Sequence, residues 1–396
     1  MRILVMLAAL TLSACSSHQE PKTWNLTMTD DGAIFGPLRQ AHPDAVRKAA
    51  KTYEQFLSEL DARYFEEVDL GMVTVHAMHG ALARLNAHGE VARLDEPPPC
   101  KAEIGIGVIL TRSYRNNIVI SSLAPTSPVA LAGIRAGDRV LTIDGRSTNL
   151  LTSSDAAELI ICNGKPSVLL TIEQDGVVFT KNIPKRKNDF PTIIDVALPN
   201  HIRYVWISSL SEYAYLSRAL AALEWVREKP RDKVILDLRS MNGGLVNAGK
   251  LLLSMFIPAG STALWYGETP IEIPDIRTPL GNQLVVLVNS RTASTGEMVA
   301  LALKDYGRAV IIGEQTAGFG TALGTADLPD NSTAYIPHTI YRGPHQTVIE
   351  GIGVTPDIVV RDTSPYGYYV QGMPDAILAS ALGHLAGMPL QYAKAP

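Results

Sequence analysis

The chain has 396 residues, more than one hydrophobic core ordinarily fills, so two or three domains are expected. Hydrophobic residues make up 46% and charged residues 19%, a globular composition that excludes a disordered or collagen-like chain. A net charge of −4 gives no general basic surface for nucleic acid, no apolar run is long enough for a spanning helix, and three cysteines are too few for a disulfide scaffold.

The chain opens with Met1-Arg2 and an apolar run over 3–12, of signal-peptide rather than membrane-spanning length, followed by Ser13-Ala14-Cys15. This order of charge, apolar run and small residues before a cysteine resembles the lipobox of bacterial lipoprotein signals. The plainer reading is a buried N-terminal strand. The resemblance implies removal of residues 1–14, a diacylglyceryl group on Cys15, and acyl chains that anchor the protein in a lipid bilayer. Ser16, where retained lipoproteins carry aspartate, implies an outer-membrane lipoprotein of the cell envelope facing the periplasm. In that oxidising compartment Cys100 and Cys162 either pair or stand as two buried free thiols.

Residues 15–44 are polar and read as a tether, and 45–97 as an N-terminal helical segment. Val46, Ala49, Ala50, Tyr53, Phe56 and Leu57 recur at three- and four-residue spacing, and Val73, Met78, Leu82 and Leu85 repeat the pattern. Glu96-Pro97-Pro98-Pro99 then breaks the chain. Over 98–187 the pattern becomes a small β-rich domain, with strands at 108–110, 118–120, 140–143 and 168–172 and one helix at 155–161. Asp144-Gly145 and Asp175-Gly176 mark its turns. From 188 to 396 strands at 204–207, 234–238, 284–288 and 309–312 alternate with helices at 213–227, 245–255 and 294–305. Alternation of this kind predicts an α/β layered domain with its site at the ends of the strands. More strands and a short helix at 375–385 close the chain.

The strongest chemical signal follows the apolar strand 284–288, where Asn289-Ser290-Arg291-Thr292-Ala293-Ser294-Thr295-Gly296-Glu297 leads into a helix. A serine at such a turn exposes its hydroxyl beside free backbone N–H groups, which can hold an oxyanion. The same residues also read as an ordinary helix N-cap. Asp237-Leu238-Arg239-Ser240-Met241-Asn242-Gly243-Gly244 follows another apolar strand, and its paired glycines permit close approach to a ligand or simply a tight turn. A serine nucleophile needs a base, and no serine lies three residues before a lysine. Of nine histidines, His76 and His79 share a helix face but have no third ligand nearby, so no metal site is expected. His88, at the end of that helix, is free to enter a cleft or to cap the helix.

Gly105-Ile106-Gly107-Val108, Pro125-Thr126-Ser127-Pro128 and Ala132-Gly133-Ile134-Arg135-Ala136-Gly137-Asp138 resemble a PDZ domain of the bacterial protease type. The runs from Asp237 to Gly244 and from Ala293 to Glu297, then Gly307-Arg308-Ala309-Val310 and Gly353-Val354-Thr355-Pro356-Asp357, resemble the C-terminal processing peptidase and tricorn-core family in the same order. The resemblance implies a protease core of the ClpP/crotonase-like α/β kind, with an inserted PDZ-like domain and an N-terminal helical segment. It places the nucleophile at Ser294 and the oxyanion donors at the N–H groups of Thr295 and Gly243. The PDZ carboxylate loop falls at Ile104, Gly105, Ile106 and Gly107, implying protein or peptide substrates with accessible C-termini. No cofactor is implied.

The processing branch takes its base from a lysine in a Gly-Lys-Gly stretch, and here that position holds Phe319. The tricorn-like branch instead uses a histidine and a glutamate, and these positions match His88 and Glu350. The expectation is a Ser294–His88–Glu350 triad in a lipid-anchored serine endopeptidase. The competing expectation, carried by Phe319, is a catalytically silent PDZ-containing binding protein.

Overall fold

In the computed structural model the described residues are 43–63, 70–84, 90–93, 104–113, 117–149, 151–187, 190–328 and 332–387. Cys15, His88, Cys100 and the proline run at 97–99 lie outside them. Helices α1 (Pro43–Arg63) and α2 (Leu70–Arg84) carry the expected helical periodicity. Pro43 starts α1 with its φ already set, while Asp44 in the first turn and Arg63 in the last complement the helix dipole. A short strand, β1 (Glu90–Arg93), follows within the segment read as helical.

The β-rich domain comprises β2 (Ile104–Gly105), β3 (Val108–Arg112), β4 (Ile118–Leu123), α3 (Pro128–Leu131), β5 (Arg139–Ile143), β6 (Arg146–Ser147), α4 (Ser153–Ile161), β7 (Ser167–Gln174), β8 (Val177–Pro184) and β9 (Arg186–Lys187). Its antiparallel sheet runs β3-β4-β5-β7-β8, with β6 against β5, while β2 pairs with β9. The Asp144-Gly145 and Asp175-Gly176 turns both have positive φ at each residue, the geometry of a two-residue hairpin loop. Helix α4 starts in a capping box: Asp155 N–H donates to Thr152 Oγ1 at 3.0 Å and Thr152 N–H to Asp155 Oδ2 at 2.8 Å. Ile118 and Ile120, and Val168, Leu170 and Ile172, alternate along their strands into one buried core that Val140 and Ile143 join from either side of a register shift in β5. Cys162, at the end of α4, is disulfide-bonded.

The second domain comprises β10 (Ile193–Leu198), β11 (Ile202–Ile207), α5 (Tyr213–Arg227), β12 (Lys233–Asp237), α6 (Val246–Leu253), β13 (Thr262–Tyr266), β14 (Thr269–Glu272), β15 (Leu284–Val288), α7 (Thr295–Asp305), β16 (Val310–Gly313), β17 (Thr321–Asp327), β18 (Ser332–Arg342), β19 (Ile358–Val359) and α8 (Ala376–Leu385). Its main sheet has the order β10-β11-β12-β15-β16-β19, parallel from β11 onward. All five residues of β15 are buried, as a parallel strand covered on both faces requires. One face, including Tyr204, Trp206, Ile235, Val285 and Leu287, packs on Ile377, Leu378 and Ala381 of α8. A second sheet joins β18 to β1, β13 and β17, with β14 beyond β13. Sequence periodicity did not single out this sheet, because the β1–β18 and β13–β18 pairings that join its two local hairpins span long separations.

The two domains meet at β4 and the 362–368 segment. Ser121 Oγ donates to the Ser240 carbonyl at 3.0 Å, and Arg291 Nε to the Ser121 carbonyl at 3.1 Å. Ala136 N–H donates to the Pro365 carbonyl at 2.9 Å, and Tyr366 packs against both hydrophobic cores.

Candidate active site

Three loops leave the carboxyl ends of the neighbouring parallel strands β12, β15 and β16, the edge where α/β sheets place their sites. They are tied to one another. Ala293 N–H donates to the Met241 carbonyl at 2.9 Å, Thr292 Oγ1 to the Leu238 carbonyl at 2.9 Å, and Ala317 N–H to the Thr292 carbonyl at 2.9 Å. The middle loop delivers Ser294, which is half-buried with φ 53° and ψ −120° immediately before α7. Non-glycine residues rarely hold such a backbone, and its cost requires that the surroundings enforce it.

Glu297 is the main enforcing group. Its carboxylate is fully buried and surrounded by donors. Ser294 N–H at 2.9 Å and Phe319 N–H at 2.7 Å share Oε2, while Gly318 N–H at 2.7 Å and the Thr316 hydroxyl meet Oε1. Burial pushes its pKa up, and the four donors pull against that shift. One side chain therefore holds the turn after β15 against the loop after β16. The pattern Ser294-Thr295-Gly296-Glu297 is a capping-box signature, which accounts for the Ser294 bond but not for the other three donors.

Gly243 lies against Ser294. Its φ is 114°, and a β-carbon there would stand 3.0 Å from Ser294 Cβ and 3.2 Å from Oγ, so only glycine brings its backbone this close. Thr295 Oγ1 donates to the Gly244 carbonyl at 2.6 Å, clamping this loop onto α7. Thr295 is the first residue of α7, so its N–H has no acceptor within the helix.

Glu350 accepts from Gly320 N–H at 2.8 Å. A β-carbon on Gly320 would lie 2.6 Å from Glu350 N, so glycine lets the 349–354 loop press against the loop after β16. The bond from Val354 N–H to Thr316 Oγ1 at 2.7 Å closes the same contact. Phe319, at the position where the processing branch has lysine, is half-buried and gives its amide to Glu297 and its carbonyl to the Tyr341 hydroxyl at 2.6 Å. Tyr341, on β18, is buried; burial and the nearby Glu297 and Glu350 carboxylates push its pKa far up. Nothing in the sequence marked Tyr341, because it lies in a strand of the second sheet. Of the expected triad, Ser294 and Glu350 thus flank the same loop, and His88 lies outside the described residues.

Behind the nucleophile turn lies a buried charge cluster. Arg239, fully buried, meets Asp237 at 2.7 Å and Asp375 at 2.8 Å, and Arg291 meets Asp362 at 2.9 Å. Burial pushes the Asp362 pKa up, but Arg291 and Arg239 together outweigh it and hold it below its usual value. Among the described residues no group of His, Cys, Asp and Glu is arranged to hold a metal ion, and no helix is long and apolar enough to cross a membrane.

In the β-rich domain Gly105, Ile106 and Gly107 are buried and Ile104 is exposed. Gly107 has φ 76° and leads into β3, which among the described residues ends its sheet, with β4 paired to it and α4 packed alongside.

Comparison with known proteins agrees with this layout. The sequence pattern of peptidase family S41 matches residues 201–360, and that of the PDZ domain matches residues 119–174. A carboxy-terminal-processing protease of Bartonella bacilliformis is 30% identical over 362 residues, spanning 85% of this chain and 82% of that protein. The carboxyl-terminal-processing protease of a Picosynechococcus species is 29% identical over 256 residues, 63% of this chain and 61% of the relative. The solved photosystem II D1 C-terminal processing protease superposes with a TM-score of 0.62 over 80% of this chain and 86% of its own, at 24% identity, and so shares the fold.

Proposed function

Because the chain belongs to the carboxyl-terminal-processing proteases of peptidase family S41, we propose that Ser294 is the nucleophile of this serine peptidase, His88 its base and Glu350 the acid that orients the imidazole. The observation that carries the nucleophile is the backbone of Ser294, held in a costly conformation at a strand-to-helix turn by a fully buried carboxylate. His88 takes the Ser294 proton as Oγ attacks a peptide carbonyl, and the N–H groups of Gly243 and Thr295 receive the oxyanion. His88 passes that proton to the leaving amine, then takes one from the water that attacks the acyl-enzyme and returns it to Ser294 Oγ as the product acid leaves. Glu350 fits its role in being an acid on the loop pressed against Phe319 and Gly320.

The substrates on this reading are flexible or unfolded protein tails. The edge of β3 that is unpaired among the described residues accepts an extended chain as an added strand, and the amides of Ile104, Gly105, Ile106 and Gly107 hold its terminal carboxylate. The leader ending at Cys15 supports an acylated envelope protein, probed by the mass of its N-terminal peptide and by the loss of membrane fractionation in Cys15→Ala.

The test uses the chain in detergent with an unfolded protein bearing an apolar C-terminus, counting new termini by mass spectrometry. Cleavage by wild type that is lost in Ser294→Ala, His88→Ala and Glu350→Gln is expected. Cleavage surviving His88→Ala overturns the triad while leaving Ser294 in place. Phe319 favours a second reading, a silent tail-capture protein. It predicts no cleavage and equal tail binding by all four proteins.

A further inference from the structure

We infer that the Thr295 side chain is a positioning group: its hydroxyl sets the separation of the two N–H groups, those of Gly243 and Thr295, that receive the oxyanion. The inference rests on Ser294 being the nucleophile proposed above. The two neighbours of Ser294 each fasten the 237–244 loop. Ala293 N–H donates to the Met241 carbonyl at 2.9 Å, and Thr295 Oγ1 donates to the Gly244 carbonyl at 2.6 Å. Between these two points lies the Asn242–Gly243 peptide, which carries the N–H that this loop offers.

A fastening on the glycine side is needed because Gly243 and Gly244, with φ of 114° and 138°, lose more conformational freedom on being fixed than any other residue type. From the far side Leu210 N–H donates to the Gly243 carbonyl at 3.0 Å, and a β-carbon on Gly244 would stand 2.3 Å from the Leu210 carbonyl carbon. The loop is thus held between the Leu210 backbone and the first residue of α7. The threonine cannot turn away from it. Thr295 is buried, and a β-carbon on Gly249 of α6 would stand 2.7 Å from its Cγ2, so glycine lets that helix press on the methyl group. With the methyl group packed there, the branched side chain has one χ1 and Oγ1 faces Gly244. The Gly244 carbonyl can only accept, so the hydroxyl proton is committed to this bond. Gly244 is exposed, and water can take over its carbonyl when the hydroxyl is removed. The bond therefore governs where the glycine loop stands more than whether the domain folds.

The test is the reaction of the full chain with a fluorophosphonate, in which serine Oγ bonds to phosphorus, fluoride leaves, and the serine proton passes to the base. Wild type should label and Ser294→Ala should not. Thr295→Val keeps the branched shape and loses only the hydroxyl. Its limiting labelling rate should fall about tenfold or more, approaching the roughly 100-fold or greater loss expected when an oxyanion donor is removed outright. Thr295→Ser keeps the hydroxyl but frees it among three rotamers, so its rate should fall only about threefold. The half-saturating probe concentration and the pH midpoint should not move in either variant, a split that general loosening of the site would not produce. Should Thr295→Val melt below the assay temperature, Thr295→Ala replaces it: alanine and serine both lack the methyl group, and serine should label faster. A wild-type rate in the folded variant without the hydroxyl, a serine variant no faster than it, or a change confined to half-saturation overturns the positioning role and leaves Ser294 standing. Labelling of Ser294→Ala, or none of wild type, overturns the nucleophile and this inference with it.

Discussion

Replacing Glu297 by glutamine changes one atom in a place where every neighbour is a donor. Three backbone N–H groups and one hydroxyl point at the carboxylate. A glutamine keeps one acceptor oxygen, which the amides of Ser294 and Phe319 retain if it takes the Oε2 position. The new NH2 then faces Thr316, whose hydroxyl can turn to accept, and Gly318 N–H, which cannot. Gly318 N–H and the turned Thr316 proton both lose their acceptor, at a cost of about 2–6 kcal/mol for the two. Glu297→Ala orphans all three amides and by the same measure costs about 3–9 kcal/mol, comparable to the roughly 5–15 kcal/mol that holds a whole domain together. Glutamine is therefore the informative variant. Urea unfolding followed by tryptophan fluorescence should place Glu297→Gln below wild type by that smaller amount at pH 7. Fluorophosphonate labelling per folded molecule should fall less than tenfold, since the Ser294 and Phe319 bonds survive. A Gln variant as stable as wild type would refute the reasoning, because it would mean that the carboxyl carries a proton or that Gly318 N–H has another acceptor.

Other expectations follow from the same geometry. The Asp362 pKa is held below its ordinary value of 3.8, so its contribution is complete above that value and is lost as pH falls through the folded pKa. Asp362→Asn, which leaves Arg291 short of its partner, should cost about 3 kcal/mol or more at pH 7, with the gap to wild type closing in acid titrations of the melting temperature. Gly243→Ala puts a methyl group 3.0 Å from Ser294 Cβ at a φ of 114°, and should lower kcat at least tenfold, a transition-state loss of about 1.4 kcal/mol or more; unchanged turnover would remove Gly243 from the oxyanion site. Phe319→Lys should give no gain in peptide cleavage if His88 is the base, and a rise in rate would point back to lysine chemistry.

Much of this fold was legible because its signals are local. The Asp144-Gly145 and Asp175-Gly176 turns and the apolar run of β15 each depend on neighbours a few residues away, and each stands where turn chemistry and hydrophobic period place it. The turn that carries Ser294 was legible for the same reason, while its local pattern reads equally as an N-cap and the family resemblance is what offered that serine as the nucleophile. Phe319 at the expected lysine position could likewise be read from the sequence.

What surrounds Ser294 was not legible. Glu297 has one donor within three residues and three more from 316, 318 and 319, and only the parallel alignment of β15 with β16 brings them to one carboxylate. Tyr341 reaches the Phe319 carbonyl from β18, and β18 pairs with β1 across most of the chain. The sequence alone determined the main helices, the strands of the parallel sheet and the hairpin turns, and offered Ser294 as a candidate, because hydrophobic period and capping act over one or two turns of chain. Tertiary structure alone decided what holds that serine, because a buried carboxylate or phenol takes its partners from whichever loops the sheet order sets beside it.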